Sequence, residues 1–128
     1  MANPNIVNVA TITGQTAVQA VGTSATAIVT NSASSGKVFK VNLLVVSNID
    51  GASGADLTVD LYRSSTAYHI AKTINVPADA SLDVLSNPIY LLEGDALRLT
   101  AGTASDLEAV CSYEEISGCP VTAVLSDR

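Results

Sequence analysis

The chain has no tryptophan, one phenylalanine, one histidine and one methionine, and only six lysines and arginines in 128 residues. Each shortage excludes something. With twelve acidic residues the net charge is −6 at pH 7, and six scattered cations cannot form the basic footprint that nucleic acid demands. Membrane binding through Lys and Arg fails on the same ground. The longest clean apolar run, Leu43–Val46, is far too short to span a bilayer. The opening Met-Ala-Asn-Pro-Asn-Ile has neither a positive n-region nor an apolar h-region, so no secretory signal is expected. The expected site of synthesis is a cytoplasm, and the protein leaves it only inside a larger particle.

Catalytic constellations are also missing. His69 is the sole histidine, so any Ser-His-Asp arrangement must use it, and no G-x-S-x-G elbow exposes a nucleophile. No partners stand at zinc-ligand spacing around it. A histidine on the surface or at an interface explains it better than a general base. Asp56 and Asp60, and again Asp79 and Asp83, lie four residues apart. On a strand that is roughly 13 Å, beyond the separation of about 5–9.5 Å at which glycosidase carboxylates work. They are expected to be solvated or interface acids. The eight glycines are spread between strands as turn punctuation and form no phosphate loop. Tyr62, Tyr68, Tyr90 and Tyr113 are too dispersed to build a sugar-binding or base-stacking platform. No enzyme activity, cofactor or metal is expected.

The two cysteines, Cys111 and Cys119, make no metal site on their own. Cys111 falls in an alternating strand pattern and Cys119 in a Gly-Cys-Pro turn. Two reduced thiols and a disulfide pinning the C-terminal segment to that strand both remain open.

What is abundant is Ala, Val, Ser and Thr, 59 residues between them. Val and Thr favour strands, hydrophobic residues make up 48%, and a chain of this size buries about two-thirds of its unfolded surface. Short alternating segments separated by turns run along it: 6–12, ended by Gly14; 17–21; 24–30; 37–49; 56–63; 67–76; 81–85; 89–92; 96–101; and 107–113. The spacing predicts an all-β protein, a jelly-roll-like β-sandwich of about eight short antiparallel strands. In 37–49, alternation places Phe39, Val41, Leu43, Val45, Ser47 and Ile49 on one face. Both faces of that strand are largely apolar, which suits a central strand or one covered by a partner. In 67–76 it places Tyr68, Ile70, Lys72, Ile74 and Val76 together. Residues 1–117 are expected to form the sandwich and 118–128 a C-terminal tail or arm.

Outward strand positions carry Thr, Ser, Ala and Asn far more than Lys or Glu. Monomeric sandwiches usually guard their edges with charge, proline or bulges, so an assembling protein is expected, a homo-oligomer with a trimer favoured. Beyond the Gly118-Cys-Pro120 break lies the apolar run Val121–Leu125. Val121, Ala123 and Leu125 would point to one side of an added strand and are the candidate assembly contacts, on a neighbouring subunit rather than on the chain's own sheet.

Several stretches carry a resemblance. They are Ser34–Val41 (SSGKVFKV), Asp56–Tyr62 (DLTVDLY), Ile74–Leu82 (INVPADASL), Pro88–Ala101 (PIYLLEGDALRLTA) and Val110–Ser117 (VCSYEEIS), with Ile6–Gly14 (IVNVATITG) at the start. Through them the chain resembles small phage virion structural proteins. The resemblance implies a β-sandwich with no catalytic residues to carry over. It implies a capsid decoration or cement protein, or else a tail, fibre or baseplate component, whose partners are the major capsid protein or other virion proteins. The residues after Ser117 depart from that pattern.

Overall fold

The computed structural model describes residues 9–118. They form nine strands and no helix: β1 (Val9–Val21), β2 (Thr26–Thr30), β3 (Lys37–Asn48), β4 (Ala55–Arg63), β5 (Thr66–Val76), β6 (Ser81–Asp83), β7 (Ile89–Leu91), β8 (Ala96–Ala101) and β9 (Leu107–Gly118). Among the described residues no helix is long and apolar enough to cross a membrane.

The pairing is nested. β1 pairs β9, β2 pairs β8, β3 pairs both β6 and β7, and β4 pairs β5, all antiparallel. β6 and β7 are two pieces of one strand position, separated by Asn87-Pro88, and lie against different stretches of β3: Val45–Ser47 and Phe39–Val41. The chain is therefore one long hairpin, rolled up and zipped by the β3·β9 and β4·β8 pairings. Two sheets result, β1-β9-β3-β6 with β7 beside β3, and β2-β8-β4-β5. This is a jelly-roll sandwich.

Alternation along the strands fills the space between the sheets. Val41, Leu44 and Val46 of β3 and Leu107, Ala109 and Cys111 of β9 meet Leu57 and Val59 of β4 and Leu97 and Leu99 of β8 in one cluster. Phe39 stacks on Tyr113, ring centroids 5.5 Å apart. Burial pushes the Cys111 thiol up to about 11 and raises the Tyr113 hydroxyl too. Below about pH 8 the thiol keeps its proton in both folded and unfolded chains. Between about 9 and 11 only the unfolded chain loses it, so stability falls as pH rises, by up to about 3 kcal/mol. Urea midpoints measured from pH 8 to 11 should show this alkaline loss, and Cys111→Ala should flatten it. An unchanged slope in the variant would assign the loss elsewhere.

Three expectations need correction. Gly14 does not end the first strand. Its backbone is extended, it pairs with Glu114, and β1 runs through it without a break. In β3 the register slips between Val41 and Leu43. The extra residue reverses the alternation, so Leu44, Val46 and Asn48 follow Val41 inward while Leu43 and Val45 turn outward. In β5 two further slips set Tyr68, Ala71, Ile74 and Val76 opposite the inward residues of β4, so Ile70 and Lys72 leave the face they were expected to share.

Buried polar side chains fasten the two ends of the sandwich. Asn31 Nδ2 donates to the carbonyls of Lys37 and Leu91, both at 2.9 Å, and its Oδ1 accepts the Ser35 hydroxyl. Asn48 Nδ2 donates to the carbonyls of Ser53 and Val76, again at 2.9 Å, and its Oδ1 accepts the Asp50 N–H. In the Glu93-Gly94-Asp95 turn Gly94 takes φ +88°, a conformation that suits glycine. Buried Asp95 there accepts the Leu92 N–H and a forked pair of bonds from Arg63 at 2.8 and 2.6 Å.

Candidate functional site

The two outer faces differ in chemistry. On the β2-β8-β4-β5 sheet, Asp60 of β4 pairs in register with Arg98 of β8 and with His69 of β5. Arg98 Nε donates to Asp60 at 2.9 Å, and its guanidinium lies 3.9 Å from the centre of the Tyr62 ring. Asp60 is only 2% exposed. It is thus neither solvated nor free for an interface, contrary to the reading of the carboxylates as solvated or interface acids, because Arg98 covers and neutralises it. Asp56, on the same face, accepts a bond from Asn75, while Asp83 is exposed in β6. Asp79 sits in a turn with φ +55°. These four acids do not converge. His69 is exposed on this polar face.

The outer face of the other sheet is apolar and small. Because Ala17, Gln19 and Val21 of β1 face the partners Cys111, Ala109 and Leu107, the alternate residues Ile12, Thr16, Val18 and Ala20 point outward. Registers across β1, β9 and β3 align Val18, Val110 and Val45 in one row and Thr16, Ser112 and Leu43 in the next. Beyond a row of Gly14, Glu114 and Lys40, a further row aligns Ile12, Ile116 and Val38, of which Ile12 alone is exposed while Ile116 and Val38 are buried. Val18 is 75% exposed, Ile12 55% and Val110 41%. A shallow groove of about 310 Å³ opens beside the first row, lined by Val18, Gln19, Ala20, Glu108, Ala109 and Val110. Glu108 is its one charged lining residue, so the groove offers chiefly a surface to pack against. Singly exposed apolar side chains are ordinary; rows of them on one face mark a contact.

Sequence reasoning did not find this face. Its signal was present in the charge-free run Val9–Val21, but reading Gly14 as a stop divided that run into two short strands. The candidate contacts Val121, Ala123 and Leu125, and Cys119, lie outside the described residues.

No protein-family model matches the chain, and no curated protein matches it. Solved structures do. A protein of the Bacillus endospore appendages, a family of disulfide-linked pili, aligns over 85% of this chain and 88% of its own at 13% identity, with a TM-score of 0.50. The likeness is one of fold. Two structures of a pentameric capsid protein from metagenomic phage sequences align at 21% identity over 79% of this chain, covering 60% and 67% of theirs, with TM-scores of 0.40 and 0.42.

Proposed function

We propose that the protein is a non-enzymatic structural protein of a virion, a decoration or cement subunit on the outer surface of a phage head. The observation that carries this reading is the outer face of the β1-β9-β3 sheet, where rows of Val, Leu, Ile, Thr and Ser stand with few charges among them. The sequence resemblance to small virion proteins supports it, and an acidic protein is repelled by packaged DNA, which suits an outward position. Contacts of this kind are individually weak. Repeated over many identical copies they gain strength through avidity. The partners are the major capsid protein or other virion proteins, and the free protein is a homo-oligomer, a trimer, with Val121, Ala123 and Leu125 reaching a neighbouring subunit.

The alternative, a tail, fibre or baseplate component, predicts a different copy number. Quantitative mass spectrometry of purified particles should find hundreds of copies per virion for a decoration protein; a few to tens favour the alternative, and absence from particles ends both. Because β9 runs to Gly118, deletion of 119–128 should leave the melting temperature of the purified protein nearly unchanged and weaken its incorporation. Normal incorporation of the truncated chain would remove the arm from the assembly contacts.

A further inference from the structure

Each sheet ends in strands that pair with no further strand among the described residues, and three of the four edges are guarded. β2 is five residues long. β6 and β7 are three residues each, parted by Asn87-Pro88. β5 carries Lys72, two register slips and a left-handed Thr73 at φ +52°. β1 is unlike them. It has thirteen residues, no charge and no proline, and its one irregularity falls at its beginning, between Val9 and Thr11. Residues 11–16 are all exposed. Long, flat, uncharged edges invite another strand, which is why proteins blunt them.

We infer that the free edge of β1 pairs antiparallel with β1 of a second copy, about a two-fold axis through Gln15. The residue order specifies this register. Centred on Gln15, it sets Ile12 opposite Val18, Thr13 opposite Ala17 and Gly14 opposite Thr16, each pair occurring twice. Ile12 and Val18 are the most exposed large apolar residues of the strand and share its outer face. The pairing covers both, and it brings each Ile12 to the Val18 end of the other copy, beside the groove lined by Val18 and Val110. The outer rows then join into one, Val45, Val110, Val18 and, from the second copy, Ile12, Ile116 and Val38.

Charge agrees with this occupant. Two copies of net charge −6 repel unless they meet where neither carries a carboxylate, and β1 carries none. The nearest acids, Glu108 and Glu114, lie on β9. Three strand spacings of about 4.8 Å then separate the two β9 strands, beyond the screening length of about 8 Å at physiological salt. The area is small. Nine residues at about 3.4 Å each make a contact roughly 30 Å long and 10 Å deep, roughly 600 Å² over both copies, about half the lower bound of a standard interface. The pairing is therefore weak between two isolated chains and effective where copies are already held side by side. Being two-fold, it joins two single subunits or one subunit from each of two trimers. It does not depend on the virion reading.

The test uses cysteine pairs in the full chain, with Cys119→Ser removing the other thiol that could react; Cys111 is buried. Ile12→Cys and Val18→Cys variants are oxidised separately and mixed, at several hundred micromolar. The Gln15 register places residue 12 opposite residue 18 and holds the two copies of residue 12 roughly 20 Å apart. The mixture should give disulfide-linked dimers joining one variant to the other, in at least several-fold excess over either variant alone. Adding Gln15→Glu, which opposes two carboxylates on the axis, should lower that yield several-fold. Equal yields from the single variants and the mixture, no dimer at all, or indifference to Gln15→Glu would overturn the inference. Loss of the protein from particles with the cross-link intact would count against the virion reading alone.

Discussion

Leu99→Ala should destabilise the protein by about 3–5 kcal/mol, the range for a fully buried leucine whose cavity cannot collapse. Leu99 is fully buried on β8, flanked in register by Val59 of β4 and Thr26 of β2. β8 is held between β2 and β4 in its own sheet, and Leu99 belongs to one buried cluster with residues of β3 and β9 from the opposite sheet. A domain of this kind has a total stability of about 5–15 kcal/mol, so the loss is a large share of it. Val110→Ala is the matched control. Its side chain lies on the outer face, 41% exposed, and should cost under about 1 kcal/mol. Urea denaturation of both variants checks the pair. Equal costs would mean that the outer row is as closely covered as the core.

Asn48→Ala should cost about 1–3 kcal/mol, because it strands the buried Val76 carbonyl and also removes the part-buried bonds to the Ser53 carbonyl and the Asp50 N–H. Asn48 joins the end of β3 to the loop before β4 and to the end of β5, so it ties one sheet to the other. Asn48→Asp separates hydrogen bonding from shape. The carboxylate still accepts from the Asp50 N–H, but it has no protons to offer Ser53 and Val76, and at neutral pH it brings a buried charge. It should be at least as damaging as alanine. Thermal unfolding at pH 7 distinguishes the cases; a near-native midpoint for Asn48→Asp would mean that the two carbonyl bonds contribute little.

These two side chains also mark where the sequence could be read and where it could not. The core leucines of β8 sit on a clean alternation between two strong turn signals, and their burial follows from period-two spacing alone. Alternation likewise yielded the all-β class, the sandwich and nearly every strand. It failed at β-bulges. One extra residue near Asn42 reverses every later side chain of β3, and neither Asn42 nor its neighbours announce it. Asn48 therefore looked like an ordinary polar residue near a turn, when it points inward. Gly14 failed for the opposite reason: glycine signals a break in most contexts, yet here the residue simply continues an extended strand. Which strands form the edges was beyond local pattern altogether, since it depends on pairings between distant segments. The polar cover over Asp60 was hidden in the same way, because Arg98 reaches it from another strand.

The nested pairing has a consequence for the order of events during synthesis. β1, the first described strand, finds its partner only in β9, the last: Val9 sits opposite Gly118. At 5–20 residues per second the ribosome needs about 5–20 s to make the roughly hundred residues between them. Sheets dominated by such distant pairings fold in milliseconds to seconds once the chain is whole, so translation sets the pace. Throughout that interval β1 has both edges open, and neighbouring nascent chains on one messenger present the same uncharged strand to each other. Its run of threonine, glutamine and alanine, with large apolar residues at only a few positions, gives such a chain little to collapse upon while it waits.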